Sequence, residues 1–354
     1  MTDSSALQSD AAEIQPEMTE LRHRLHRQPE IGLQLPRTQE TLLEVLDGLG
    51  LELSVGRDLT SVTGVLRGGR STGRAVLLRA DMDALPVQER SGESFTSEVD
   101  GAMHACGHDL HMAMLVGATR LLAARRDQLA GDVVLMFQPG EEGWDGAGAM
   151  IAEGVLSAAG PTASAAYGMH VRSGKTPNGV FTTRGNTMMS SSSRLRVTVH
   201  GRGGHGSSPH LCLDPISAAA EMIGSLHTMV TRRFDVFDPV VVTVGTISGG
   251  TASNIIPDTA DFTATVRTFS AANAEAIGRL ATAVCQGVAL AHGVEVDVRF
   301  VREYPATVND PEHAQFLADV VSDVFGTARY LPMEFPNRVR RTSPGSWRRY
   351  PAAT

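Results

Sequence analysis

Three short apolar runs in the first half of the chain each stop at side chains able to bind a metal or carry a proton. Ala75-Val76-Leu77-Leu78-Arg79 leads to Asp81 and Asp83, Asp132-Val133-Val134-Leu135-Met136-Phe137 leads to Glu141 and Glu142, and the run from 163 to 169 ends at His170. Apolar runs alternating with donor-rich loops and helical stretches predict an α/β fold, a mostly parallel sheet flanked by helices. Ligands of such sheets sit beyond the carboxyl ends of the strands. Because all these donors lie at predicted strand ends, one shared site is expected.

The densest chemistry falls in Met103-His104-Ala105-Cys106-Gly107-His108-Asp109-Leu110-His111, directly before an apolar helical run. A thiol and imidazoles together suit zinc or a similar late first-row ion, and the small Ala105 and Gly107 let the backbone turn closely. Adjacent Glu141 and Glu142 at a strand end form the second signal. One carboxylate can ligate a metal while the other takes a proton from water. Residues 16–50 read as helix, turn and helix, broken at Gln28-Pro29-Glu30-Ile31-Gly32. His23 and His26, at helical spacing in the first helix, read as a solvated or capping face.

With 354 residues the chain can bury a large core and is expected to form two domains. A formal net charge of −8 argues against a general nucleic-acid binder. No apolar stretch is long enough to span a bilayer, and the N-terminus lacks a basic region followed by an apolar segment, so a cytoplasmic protein is expected. Cys106, Cys212 and Cys285 are odd in number and widely spaced, which is no disulfide framework and suits a reducing compartment.

At 185–193 the texture turns small and polar, which reads as a hinge into a second domain. Beyond it, Arg194–His200 alternates as a half-buried strand and Asp214–Arg233 reads as an amphipathic helix. Strands then follow at 240–247 and 261–268, a long helix at 271–291 and a strand at 294–301. Strand, helix, strand, strand, helix, strand is the ferredoxin-like order, an α+β domain inserted in the first. Asn309-Asp310-Pro311 starts a helix returning to the first domain. The expected divisions are 1–186 for the first part of a metal-binding domain, 187–304 for the inserted lid, 305–337 for the return segment and 338–354 for a basic tail.

Taken together, Leu25-His26-Arg27-Gln28-Pro29-Glu30, Arg79-Ala80-Asp81-Met82-Asp83-Ala84-Leu85-Pro86, His104–Asp109, Gln138–Glu142, Gly168-Met169-His170 and Asn254-Ile255-Ile256-Pro257 resemble the two-metal amidohydrolases. That family includes hippurate hydrolase and the N-acyl- and indole-acetyl-amino-acid hydrolases. The motifs occur in family order from about Leu21 to Asn309. The resemblance implies a zinc-exopeptidase-like domain holding two divalent ions (zinc, manganese, cobalt or nickel) and a lid that mediates homodimer formation. It implies Cys106, His108, Glu142 and His170 as metal ligands, Glu141 as general base, and His205 in the lid as the residue polarising the carbonyl. Asn254 and Arg267 are expected to meet the substrate's carboxylate, and Asp81, Asp83 and Asp109 to orient imidazoles from behind. The implied reaction is hydrolysis of N-acyl or N-aroyl amino acids. Alternatives are a dipeptidase or carboxypeptidase, or a family member that has lost its chemistry. No nucleic-acid or membrane partner is expected.

Family members continue past the point where this chain stops and supply a further histidine ligand after a Glu-Asp-Phe segment. Here the chain ends in a basic stretch from Arg338, expected to be unpacked. G/C-rich codons for 340–351, read in a shifted frame, can spell a Glu-Asp-Phe segment, so a frameshifted end that weakens metal binding is the expectation.

Overall fold

The computed structural model describes residues 4–172, 174, 176–336 and, in backbone alone, Ala352–Ala353. The chain clusters into two compact units, Met1–Met188 with Val308–Phe335, and Met189–Thr307.

In the first unit, five strands precede the crossing: β1 (Glu52–Val55), β2 (Val62–Leu66), β3 (Ala75–Asp81), β4 (Asp132–Gln138) and β5 (Ala165–Gly168). They lie in the order β1-β2-β4-β3-β5. The centre, β4-β3-β5, is parallel, while β1 and β2 form an antiparallel margin against β4. The sheet is therefore mixed, with the expected parallel strands at its core. Every residue of β4 is buried, as its unbroken Val-Val-Leu-Met-Phe run requires of a strand covered on both faces.

Helices α1 (Ser4–Arg27), α2 (Pro36–Leu46) and α3 (His108–Ala123) cover one face. They bury Leu21, Leu25, Leu42, Met112 and Val116 with Leu135 and Phe137 of β4. Helix α4 (Gly146–Ala152) covers the other face, packing Ala147 and Met150 on Leu77, Val134 and Met136. Helix α1 begins earlier than the sequence reading and runs through Pro16, whose missing N–H removes one helical bond on an exposed turn. After the second unit, α7 (Pro311–Phe325) starts as expected, its first turn capped by the Asp310 carboxylate on Glu312 N and His313 N.

The polar stretch at 185–193 spans the point, between Met188 and Met189, at which the two units divide. Strand β6 covers Asn186–Met189, and Ser190 to Ser193 are all buried. Two of their hydroxyls are satisfied inside: Ser191 Oγ lies 2.6 Å from Thr268 Oγ1, and Ser192 Oγ donates to Glu303 at 2.7 Å, while Ser190 Oγ is buried without a partner among the described residues.

The second unit contains β7 (Ser192–His200), β8 (Gly204–His205), α5 (Pro215–Arg233), β9 (Val240–Gly249), β10 (Ile255–Ile256), β11 (Thr259–Thr268), α6 (Ala271–His292) and β12 (Glu295–Tyr304). Its sheet is antiparallel in the order β12-β7-β11-β9. That is the ferredoxin-like arrangement. Alternation in β11 sends Ala260, Phe262, Ala264 and Val266 inward, where they meet Met222 and Leu226 of α5 and Ile277 and Ala281 of α6. Strand β13 (Thr307–Asn309) leads back to α7.

The tail reading over 338–354 lies outside the described residues except at β14 (Ala352–Ala353). This pairs in parallel with Ala166 and Tyr167, so the unpacked expectation does not hold at those two residues.

Candidate metal centre

Three chain segments bring the donors together at the carboxyl ends of β3, β4 and β5. The first is the turn entering α3. Gly107 caps that helix at φ 83°, in the left-handed region open to glycine, and a Cβ there would lie 2.4 Å from Val171 Cγ2. Cys106 and His108 flank it. Cys106 Sγ approaches His170 Nε2 at 3.3 Å, joining the α3 turn to the end of β5. His108 is fully buried, its Nδ1 held by the main-chain oxygen of Asp83 at 2.7 Å. Its Nε2 is buried without a hydrogen-bond partner among the described residues.

The Glu141–Glu142 turn is the second segment, and Asp83 fixes it. Both carboxylate oxygens of Asp83 accept main-chain N–H groups, from Glu141 at 2.7 Å and from Glu142 at 2.9 Å. One residue at the end of β3 thus holds His108 through its carbonyl and the glutamate pair through its side chain. Gly140, at φ 67°, makes that turn where a Cβ would lie 2.5 Å from Leu33 Cδ2. Glu141 is buried and Glu142 half-buried.

Atoms from Cys106, His108 and His170, and from His108, Glu141 and Glu142, converge closely enough to surround an ion. The electrostatics fit a cation. Burial pushes the Cys106 thiol up, the Glu142 carboxylate adds to that, and His108 opposes it. Burial likewise raises Glu142, reinforced by the charge of Glu141. A divalent ion would reverse both shifts by supplying the missing positive charge. Burial alone would depress His108, but Asp81, Asp83 and Cys106 hold it well above its ordinary value. The sulfur, nitrogen and carboxylate donors, with an orphaned imidazole nitrogen among them, therefore fit metal binding.

Asp81, His108 and His111 form a third convergent group, in which Asp81 and His111 are already engaged. Asp81 accepts from Arg79 at 2.7 Å and from His111 Nδ1, and His111 Nε2 accepts the Val171 N–H at 2.9 Å. Burial works against the Asp81 charge, yet Arg79, His108 and His111 keep its carboxyl well below the usual range.

Asp109 faces away from the donors. It binds His26 Nδ1 at 2.8 Å and Arg22 Nε at 2.7 Å, and His26 Nε2 reaches Glu89 at 3.3 Å. His26 is accordingly buried, which corrects the reading of a solvated or capping face; a carboxylate on each ring nitrogen makes its burial tolerable. The three aspartates thus serve different partners: His111 for Asp81, the glutamate turn and His108 for Asp83, His26 for Asp109.

In the second unit, His205 and Asn254 adjoin. Gly206 N donates to Asn254 O at 2.8 Å, and His205 pairs with Ile255 across β8 and β10. Both side chains are exposed. Arg267 is not brought to them. It sits at the end of β11 remote from that pair and donates to Ser192 Oγ, so within this unit the two do not grip one small carboxylate.

Residues 77–338 match peptidase family M20/M25/M40. The chain belongs to that family. Thermostable carboxypeptidase 2 of Saccharolobus solfataricus is 36% identical, over 96% of this chain and 87% of that protein. Hippurate hydrolase of Campylobacter jejuni is 35% identical, over 89% of this chain and 80% of that protein. A Bacillus subtilis crystal structure, described as a dinuclear metal binding peptidase from the M20 family, superposes with a TM-score of 0.80. It is 28% identical, over 98% of this chain and 88% of that one. As an M20 family member, the chain is a metal-dependent amidohydrolase or peptidase.

Sequence reasoning assigned no role to Arg79, Gln138, His111 or Glu89. Arg79, a charge closing an apolar strand, was the visible signal: its guanidinium is buried, bonding Gln138 Oε1 at 2.9 and 2.6 Å.

Proposed function

We propose that this chain hydrolyses the amide bond of N-acyl or N-aroyl amino acids, releasing a carboxylic acid and an amino acid. The observation that carries the reading is the convergence of half-buried Cys106 and His170 on buried His108, with a glutamate pair pinned by Asp83. Cys106, His108, Glu142 and His170 would hold two divalent ions, of zinc, manganese, cobalt or nickel. Ions bound there would polarise the scissile carbonyl and acidify a water molecule. Glu141, fixed through its main-chain N–H and buried, takes the water's proton at its carboxylate and returns it to the leaving amine nitrogen. His205 and Asn254 are the lid residues assigned to carbonyl and carboxylate. The second unit serves as lid and as the face of a homodimer, and a reducing cytoplasm would keep the Cys106 thiol available.

The test is metal content per chain together with hydrolysis of a panel of N-acyl amino acids and dipeptides, with Glu141→Ala as control. Bound metal with Glu141-dependent cleavage of N-acyl amino acids supports the reading. A chain that binds no metal, or cleaves none of the panel, sinks it. A second reading, a carboxypeptidase, is favoured by the similarity to thermostable carboxypeptidase 2, and preferential cleavage of the dipeptides would select it.

A further inference from the structure

His111 stands beside the candidate donors without being one of them. Its ring packs edge-on against His170, with centroids 4.7 Å apart, and it lies one helical turn beyond His108 on α3. Its nitrogens are spoken for in a defined order. The Val171 N–H donates to Nε2, so Nε2 carries no proton; Nδ1 then bears the hydrogen and donates to Asp81. Asp81 is anchored by Arg79, and Arg79 by Gln138 at the end of β4.

Val171 is the residue through which this matters. Its N–H is held by His111, and its carbonyl accepts from His170 Nδ1. That second bond puts the His170 proton on Nδ1 and leaves Nε2, the nitrogen facing Cys106 Sγ, free to ligate. The isopropyl group of Val171 closes against Gly107, leaving this peptide little room to turn.

We infer that His111 is a positioning residue for the metal centre: by clamping the Val171 peptide it fixes the orientation and tautomer of His170. The chain of contacts runs from Gln138 through Arg79, Asp81, His111 and Val171 to His170, and ties the ends of β4, β3 and β5 to α3. The inference rests on the metal-centre reading given above and adds a residue to it.

Three substitutions separate the clamp from mere space-filling. His111→Gln places an amide oxygen where Nε2 was and keeps the acceptor for Val171. His111→Asn keeps a donor toward Asp81 but cannot reach Val171, and His111→Phe keeps the ring and loses both. Zinc affinity of the full chain is measured by competition with a chromogenic chelator, alongside thermal unfolding of each metal-free protein. Loss of a residue that orients a ligating imidazole lowers metal affinity by about 10–100-fold, so His111→Asn and His111→Phe are expected in that range, and His111→Gln within about threefold of wild type. Should His111→Phe fold poorly, the Asn and Gln pair decides alone. Equal zinc affinity in wild type and His111→Asn overturns the inference, as does a His111→Gln variant as weak as His111→Asn. A wild-type chain that takes up no zinc is a different failure, of the metal centre itself, and removes this inference with it.

Discussion

Beneath and around the mixed sheet of the first unit lie Arg79, Asp81, Asp83, His108, Asp109, His111 and Glu141, all buried. The antiparallel sheet of the second unit rests instead on Leu195, Val197, Phe262, Leu226 and Ile277, and its buried polar groups are hydroxyls near one end, Ser190 to Ser193 and Thr268. Both sheets are covered by long helices, yet they solve different problems. An apolar core is stabilised by area removed from water and tolerates many sequences. A core of charges must find a partner for every group, because an unpaired buried charge is far more costly than a cavity. The first unit meets much of that demand with contacts made across tens of residues, such as Asp83 to Glu141 and Asp109 to His26, and leaves His108 Nε2 without a hydrogen-bond partner among the described residues at the candidate metal centre.

If this contrast is right, substitutions in the two cores should fail in different ways. The largest effect is expected for Glu141→Gln, which removes the proton acceptor while keeping the shape: turnover of an N-acyl amino acid should fall by about 10²–10⁴-fold with bound metal retained. Loss of metal together with activity would instead make Glu141 a ligand. Phe262→Ala, in the second core, should lower unfolding free energy by about 3–5 kcal/mol in urea denaturation. Metal content per folded chain should not change, and a parallel loss of metal would erase the contrast. Asp83→Asn turns one acceptor toward a main-chain N–H into a donor, leaving a buried group unsatisfied at about 1–3 kcal/mol. Turnover should fall with it, and an unchanged rate would show that the glutamate turn holds itself.

The smallest effect concerns pH. His26 is raised above its ordinary value of 6.5, first by its hydrogen bond to Asp109 and also by Glu89, against the pull of burial. Folding therefore takes up a proton above that value. The stabilisation is fully present below pH 6.5 and is lost as pH rises through the folded value of His26. Urea midpoints taken from about pH 6 to about pH 9 should fall more in wild type than in His26→Gln. Equal slopes would show that the pair carries no charge.

Much of this was legible in the sequence, for identifiable reasons. The three apolar runs carry their donors at their ends, and β4 declares its burial by an unbroken apolar run. Alternation in β11 and capping of α7 by Asp310 are local signals too. The β1 and β2 hairpin gave no such signal. All four residues of β1 are exposed and all five of β2 are buried, with Gly64 among them, so neither alternates. In the site, residue types announced donors but not partners. That Asp81 serves His111, and that His26 lies buried between Asp109 and Glu89, depends on packing between segments that the chain itself does not adjoin.

Asp83 gives the site a property of its own. A carbonyl and a carboxylate on the same residue hold a ligand candidate, His108, and the paired glutamates. When the end of β3 shifts, by thermal motion or by a substitution in the sheet beneath, the imidazole and both acids ride with it as common-mode displacement. The spacing between them, on which proton transfer depends, is thereby insulated from drift of the scaffold, and sequence change below the site can accumulate without detuning it.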